Sequence, residues 1–232
     1  MPTTLITGAN RGIGLELAKQ YAADGWRVLA CSRHPEKSDA LNKLAAQHPG
    51  LVQIHQLDVN DLAQIDRLAK TLVNEAIDLL MNNAGVYPDD EFKGFGHIDY
   101  AKWMHAFQVN TMAPLKMAEA FVEQVSRSRL KIIATISSRM GSIDDNTSGG
   151  SYLYRSSKAA VNMVNKSLAL DLKSQGITAV VFNPGWVLTD MGGPNAMIPV
   201  EQSVKGLRQV IGKLSQADSG KFFDYDGQQI AW

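Results

Sequence analysis

The sequence holds a single cysteine, Cys31, so no internal disulfide can form. A chain of 232 residues does not need one, because it is long enough to bury a sizeable core. Cys31 is expected on a strand as a small buried apolar residue. Net charge is also lacking. The 23 basic and 23 acidic residues cancel, which removes the electrostatic case for a nucleic-acid partner. No apolar run approaches the roughly 18 residues of a membrane span. The N-terminus lacks the basic, apolar and small-residue pattern of a secretory signal, so a cytoplasmic location is expected. The five histidines, at 34, 48, 55, 97 and 105, form no short-spaced pair with each other, and the lone Cys31 beside His34 falls short of a ligand set, so no metal site is expected. Internal repeats and low-complexity linkers are missing too, and one domain over residues 1–232 is expected.

What is present is an alternation of short apolar runs with longer amphipathic stretches. Strands are predicted at Thr3–Thr7, Arg27–Ser32, 51–56, 77–82, 131–136 and 178–182, with a seventh at 221–225. Helices are predicted at 12–24, 36–47, 61–75, 101–125, 151–175 and 199–214. This order implies βαβ units, hence an α/β fold with a doubly wound parallel sheet of about seven strands and helices on both faces. Two polar loops stand out, 86–99 and the DDNTSGGS stretch at 144–151. Both follow strand ends, where open α/β sheets bind ligands.

The run TGANRGIG, residues 7–14, joins the first strand to the first helix. Gly8 suits a tight turn. Gly12 suits close backbone approach to a pyrophosphate at the helix N-terminus, and Gly14 suits close packing of helix on sheet. Asn10, Arg11 and Ile13 complete this predicted dinucleotide turn. A site that selects NAD usually carries an acid about 20 residues further on. Here the second strand ends Ala30-Cys31-Ser32-Arg33, with no carboxylate. The Arg33 guanidinium could grip a 2′-phosphate bidentately, with Arg11 as a second clamp, which points to NADP.

The G-x-x-x-G-x-G spacing resembles the short-chain dehydrogenase/reductase family, and further motifs extend the resemblance over nearly the whole chain. They are Asp58-Val59, Asn82-Asn83-Ala84-Gly85, Asn110, Ser137-Ser138, Tyr154-x-x-x-Lys158, Pro184-Gly185 and Thr189. The stretches SSRMGSIDDNTSGGSYLYRSSKAA, PGWVLTDMGG and FFDYDGQQIAW look most like its C-factor and sniffer-type carbonyl reductase branch. The resemblance implies a single-domain Rossmann fold. It places Asp58 and Val59 at the adenine, and Asn82, Asn83, Ala84 and Gly85 beside a cofactor ribose. It places Pro184, Gly185, Val187 and Thr189 near the nicotinamide, with Thr189 bonding its amide.

Tyr-x-x-x-Lys is a cheap motif on its own, but on a helix Tyr154 and Lys158 share one face. A nearby ammonium favours phenolate, and the oxidised nicotinamide adds more positive charge. The Tyr154 pKa is therefore expected below its ordinary value of about 10, nearer neutral. The resemblance implies that Tyr154 is the general acid, Ser138 bonds the carbonyl oxygen, Lys158 also grips the nicotinamide ribose, and Asn110 holds a water in a proton relay. Ser138 lies further from Tyr154 than the family spacing, with loop 144–151 holding the extra residues, so Ser137 and Ser142 stay open as alternatives. The expected activity is NADPH-dependent reduction of a small-molecule aldehyde or ketone. A cofactor-binding signalling protein with little turnover, and an alcohol dehydrogenase running oxidatively, remain alternatives. Val86, Tyr87, Phe95, Met140 and Trp186 could line an apolar pocket, and the short segment after Thr189 suggests an open site with broad tolerance. On the 151–175 helix, Val161, Val164, Leu168 and Leu172 form one apolar stripe, and Ala160, Met163 and Leu170 another. One stripe is expected on the sheet and the other against a second subunit, giving a homodimer or homotetramer.

Overall fold

The computed structural model describes residues 1–89 and 94–232. Part of the 86–99 loop thus lies outside the described residues. Seven strands form one parallel sheet in the order β3-β2-β1-β4-β5-β6-β7. They are β1 (Thr3–Thr7), β2 (Arg27–Ser32), β3 (Val52–Gln56), β4 (Leu79–Asn82), β5 (Ile132–Ile136), β6 (Thr178–Asn183) and β7 (Phe222–Asp224). Helices α1 (Gly12–Ala23), α2 (Asp39–Gln47), α3 (Leu62–Thr71), α4 (Tyr100–Phe107), α5 (Ala113–Ser126), α6 (Tyr152–Asp171) and α7 (Val200–Ile211) connect them.

The pleat explains why helices cover both faces. In register, Leu29, Leu5, Leu80, Ile133 and Ala179 form one row across the sheet. That row belongs to a core shared with α3, α5 and α6. The next row, Ala30, Ile6, Met81, Ala134 and Val180, points the other way, into a core shared with α1, α2 and α7. Successive side chains on a strand face opposite sides, so two-sided burial demands continuous apolar runs. Cys31 sits in the first of these cores, and burial pushes its thiol up to about 12. The chain winds outward in both directions from β1 and β4. Their boundary is the switch point where such sheets open a crevice at the carboxyl ends of the strands.

The helix expected over 101–125 is broken into two. Between α4 and α5, residues Gln108–Met112 form a π turn. Pro114 supplies the reason. It has no N–H to offer the carbonyl of Asn110, and in a regular helix its ring would strike that carbonyl. A wider i→i+5 turn relieves both conflicts. The 36–47 helix is likewise split, a 3₁₀ turn at Pro35–Lys37 preceding α2. The stretch expected over 151–175 ends as a 3₁₀ turn at Lys173–Gln175 after α6. The α6 stripes also differ from expectation. Val161, Asn162, Asn165 and Ala169 are buried, whereas Val164, Leu168 and Leu172 are only partly covered, and Met163 and Leu170 are exposed.

Candidate active site

The turn from β1 into α1 is built around missing side chains. Gly8 has a φ of +67°, a left-handed conformation that favours glycine. A Cβ on Gly14 would stand 2.3 Å from the Gly8 carbonyl oxygen and 2.5 Å from the Asn83 amide nitrogen. Asn83 ties this turn to the end of β4, donating to the carbonyls of Thr7 (2.8 Å) and Gly8 (3.2 Å). In return Thr7 Oγ1 accepts from the backbone N–H groups of Asn83 and Ala84, each at 3.0 Å. From the far side Thr189 approaches, its methyl carbon 3.3 Å from where a Gly12 Cβ would be.

The start of α1 differs from those of α3 and α4. Asp61 caps α3 and Asp99 caps α4, each by accepting a backbone N–H. α1 has no side-chain cap and no acid in its first turn. Its first N–H groups are free for an anion at the positive end of the helix dipole, which fits the pyrophosphate of a dinucleotide.

The other expected cofactor residues are placed less uniformly. Arg33 is exposed just beyond β2. Ser32 is buried, and its hydroxyl lies 2.9 Å from that of Ser38. Arg11 is exposed but does not stand free, because it pairs with Asp190 at 2.6 Å, on the loop after β6. Asp58 accepts the Asn60 N–H at 2.9 Å. The side chains of Val59, Pro184 and Val187 are buried, and Ile13 and Ala84 are partly so. Gly185 is partly covered.

At the end of β5 the two adjacent serines part company. Ser137 is buried and donates to Asn162 Oδ1 at 2.6 Å. Ser142 is also buried, its hydroxyl oxygen accepting the Asp145 N–H. Ser138 alone of the three lies near enough to the Tyr154 hydroxyl to pull its pKa downward. Its turn is anchored from the neighbouring strands. Asn183 Oδ1 accepts the Arg139 N–H at 3.0 Å, and Asn183 Nδ2 donates to Asp224 Oδ1 at 3.0 Å.

Tyr154 and Lys158 do share a face of α6, with the Lys158 ammonium 5.6 Å from the centre of the Tyr154 ring. The ammonium is aimed elsewhere, donating to the Ile136 carbonyl at 2.9 Å. Burial holds its pKa down to about 8. The expected depression of the Tyr154 pKa is corrected here. Burial pushes the phenol up to about 12, against a smaller downward pull from the nearby Ser138 hydroxyl, and Tyr87 adds a further upward push. Desolvation of the phenolate outweighs the favourable partners in this setting.

Asn110 lies on the π turn and is buried. Its amide accepts from the Val86 N–H and donates to the Val86 carbonyl, both at 2.9 Å, and donates to Ser157 Oγ at 3.0 Å. Thr111 of the same turn donates to the Ser157 carbonyl at 2.8 Å. The π turn is thereby joined to α6 one helical turn beyond Tyr154. A Cβ on Gly85 would stand 3.3 Å from Asn110 Oδ1 and 3.6 Å from Lys158 Nζ. The absent side chain thus leaves room between those two polar groups.

Of the expected pocket residues, Phe95, Trp186 and Tyr87 are exposed, and Val86 and Met140 are partly covered. Sequence reasoning missed Ser157 and Asp89. Asp89 accepts the backbone N–H of Leu153 (3.2 Å) and of Tyr154 (2.8 Å) from 65 residues away. Among the described residues no three His, Cys, Asp or Glu side chains gather as a metal site, and no helix is long and apolar enough to cross a membrane.

The chain is similar to known proteins over most or all of its length. Among curated proteins, the C-signal protein of Myxococcus xanthus is 43% identical over 156 residues, covering 67% of this chain and 93% of its own. The carbonyl reductase Sniffer of D. melanogaster superposes with a TM-score of 0.91 at 33% identity, covering all of both chains. The NADPH-bound carbonyl reductase from chicken fatty liver gives a TM-score of 0.91 at 33% identity, covering 100% of this chain and 99% of its own. Residues 2–197 match the short chain dehydrogenase family, and the chain belongs to that family.

Proposed function

We propose that this protein is an NADP-dependent carbonyl reductase that converts an aldehyde or ketone to an alcohol, with Tyr154 as proton donor. The observation that carries the reading is the placing of Lys158 Nζ 5.6 Å from the centre of the Tyr154 ring on one face of α6, at the sheet's carboxyl edge, with Ser138 near the Tyr154 hydroxyl. Cofactor binding alone does not call for that arrangement. The likeness to carbonyl reductases, one of them with NADPH bound, supports it.

The residues present fit the cofactor. Gly8, Asn10, Arg11, Gly12, Ile13 and Gly14 would hold the pyrophosphate, and Ser32 and Arg33 the 2′-phosphate end, Ser32 through its backbone. Asp58 and Val59 would meet the adenine. Asn83, Ala84 and Gly85 would wall one side, with Pro184, Gly185, Val187 and Thr189 at the nicotinamide. When bound, the reduced dinucleotide supplies the hydride.

Tyr154 gives its hydroxyl proton to the carbonyl oxygen as negative charge gathers there. Ser138 steadies the same oxygen with a hydrogen bond. A phenol held near 12 is fully protonated at neutral pH, the state a donor must be in. Lys158 keeps positive charge below the ring. The room at Gly85, between Lys158 and Asn110, is where protons would be returned from solvent.

NADPH consumption measured against a panel of aldehydes, ketones and quinones, with Tyr154→Phe as control, tests the assignment. Turnover that vanishes in Tyr154→Phe is expected. Cofactor binding without turnover on any substrate would favour the second reading, a signalling protein, which the similarity to the C-signal protein supports.

We also propose a homodimer or homotetramer. α4 and α6 lie side by side, Trp103 Nε1 donating to Ser156 Oγ at 2.8 Å. Each exposes apolar side chains, Tyr100 and Met104 on one, Met163 and Leu170 on the other. These four side chains would supply the apolar part of the contact between subunits.

A further inference from the structure

Helix α6 begins without a cap of its own. Ser151, at the cap position, is left-handed with a φ of +44°, and its side chain caps nothing. Its hydroxyl lies 3.1 Å from the Tyr87 hydroxyl instead. The open N–H groups of the first turn are taken by Asp89, whose two carboxylate oxygens accept one each from Leu153 and Tyr154. The same short segment sets the Tyr87 ring against the Tyr154 ring, with centroids 4.7 Å apart and planes at 51°. At its base the segment is fixed as well, because both backbone groups of Val86 bond the Asn110 amide.

We propose that Asp89 and Tyr87 are positioning residues that clamp the first turn of α6 and so aim the Tyr154 hydroxyl at Ser138 and the substrate. The inference rests on the reading of Tyr154 as proton donor. Asp89 fixes the Tyr154 backbone and Tyr87 fixes its ring, so the two contacts restrain different freedoms of one side chain. A phenol hydroxyl stands far from its own backbone, so a small rocking of the helix end is amplified there. A misplacement of about 1 Å at a reacting group is enough to cost on the order of a hundredfold in rate. An ordinary Ser cap would satisfy the helix equally well. A carboxylate drawn from the loop after β4 also ties the proton donor to the segment that Asn110 anchors.

The test compares wild type with Asp89→Ala, Asp89→Asn, Tyr87→Ala and Tyr154→Phe, using the best carbonyl from the panel. Active-site concentration is taken from NADPH fluorescence titration. In Asp89→Ala, kcat is expected to fall about tenfold with the KM for NADPH within twofold of wild type. Asp89→Asn keeps the shape and one good acceptor and should recover part of kcat. It reads the same quantities should Asp89→Ala fail to fold. Tyr87→Ala should lower kcat in the same manner. A lowered melting temperature with wild-type kcat per active site would mean that Asp89 only caps a helix, and would overturn the proposal. Full turnover in Tyr154→Phe would overturn the underlying reading and this one with it. An inert Tyr154→Phe beside an unaffected Asp89→Ala would overturn this one alone.

Discussion

The Lys158 ammonium donates to the Ile136 carbonyl oxygen at 2.9 Å inside the fold, where burial lowers its pKa from 10.5 to about 8. A lowered lysine pKa means that the unfolded chain holds the proton more tightly than the native one. Between pH 8 and 10.5 the unfolded state binds more protons, so this group's contribution to stability improves as pH rises through that window. Below pH 8 the buried charge costs on the order of 3 kcal/mol. Lys158→Met is therefore expected to melt higher than wild type at pH 7 while losing most turnover. The difference in melting temperature should shrink between pH 8 and 10. Calorimetry at several pH values checks this, and a difference that does not change with pH would contradict it.

The paired serines make separable predictions. Ser138→Ala should lower kcat by about a hundredfold with little change in stability, the loss typical of an oxyanion donor. Ser137→Ala leaves the buried Asn162 oxygen without its donor and should cost about 1–3 kcal/mol of stability. Its kcat per folded molecule should stay near wild type. Denaturant melts and active-site-normalised rates distinguish the two.

The raised Tyr154 pKa bears on direction. Reduction needs the protonated phenol, whereas alcohol oxidation needs the phenolate. With the pKa near 12, reduction should continue at full rate through neutral pH and oxidation should climb as pH rises. Initial rates in both directions from pH 6 to 10 test this. An oxidation rate already level at pH 7 would show that the bound cofactor overrides burial.

Arg11 is held by Asp190, and Arg33 is the exposed cation at the end of β2. Arg33→Asp should reverse the preference for NADPH over NADH, read as the ratio of kcat/KM. Asp190→Asn frees Arg11 from a competing carboxylate. The pair is exposed on both sides, so it is worth at most about 1 kcal/mol, and the gain in NADPH affinity should not exceed about fivefold. Loss of NADPH affinity in Asp190→Asn would mean that the ion pair helps to hold the cofactor.

The parts of this molecule that the sequence made legible are those with a local physical signature. Buried parallel strands must be apolar on both sides, and Thr3–Thr7 and Arg27–Ser32 stand where the pattern put them. The glycine turn is legible because Gly14 has no room for a side chain against Gly8. Other features carry no such mark. The pairing of Asp89 with Leu153 and Tyr154 spans a gap that the fold alone closes. Ser137 and Ser138 are identical as letters, and only the turn after β5 sends one inward and the other to Tyr154. The buried face of α6 contains Asn162, which donates to the Gly141 carbonyl, so a search for apolar stripes misreads that face. The Tyr154 pKa was misjudged because the charge of its helical neighbour is plain in sequence, whereas the depth of burial is not.

The widened turn before Pro114 holds one residue more than an α-helical turn would. A single deletion between Gln108 and Met112 would remove the extra residue and drive the Pro114 ring toward the carbonyl four residues before it. The sheet and the glycine turn would survive. Asn110 or its replacement would be rotated away from Val86 and Ser157. The chain thus stands one codon from a descendant that keeps its sheet and glycine turn and loses the contacts that Asn110 makes beside them.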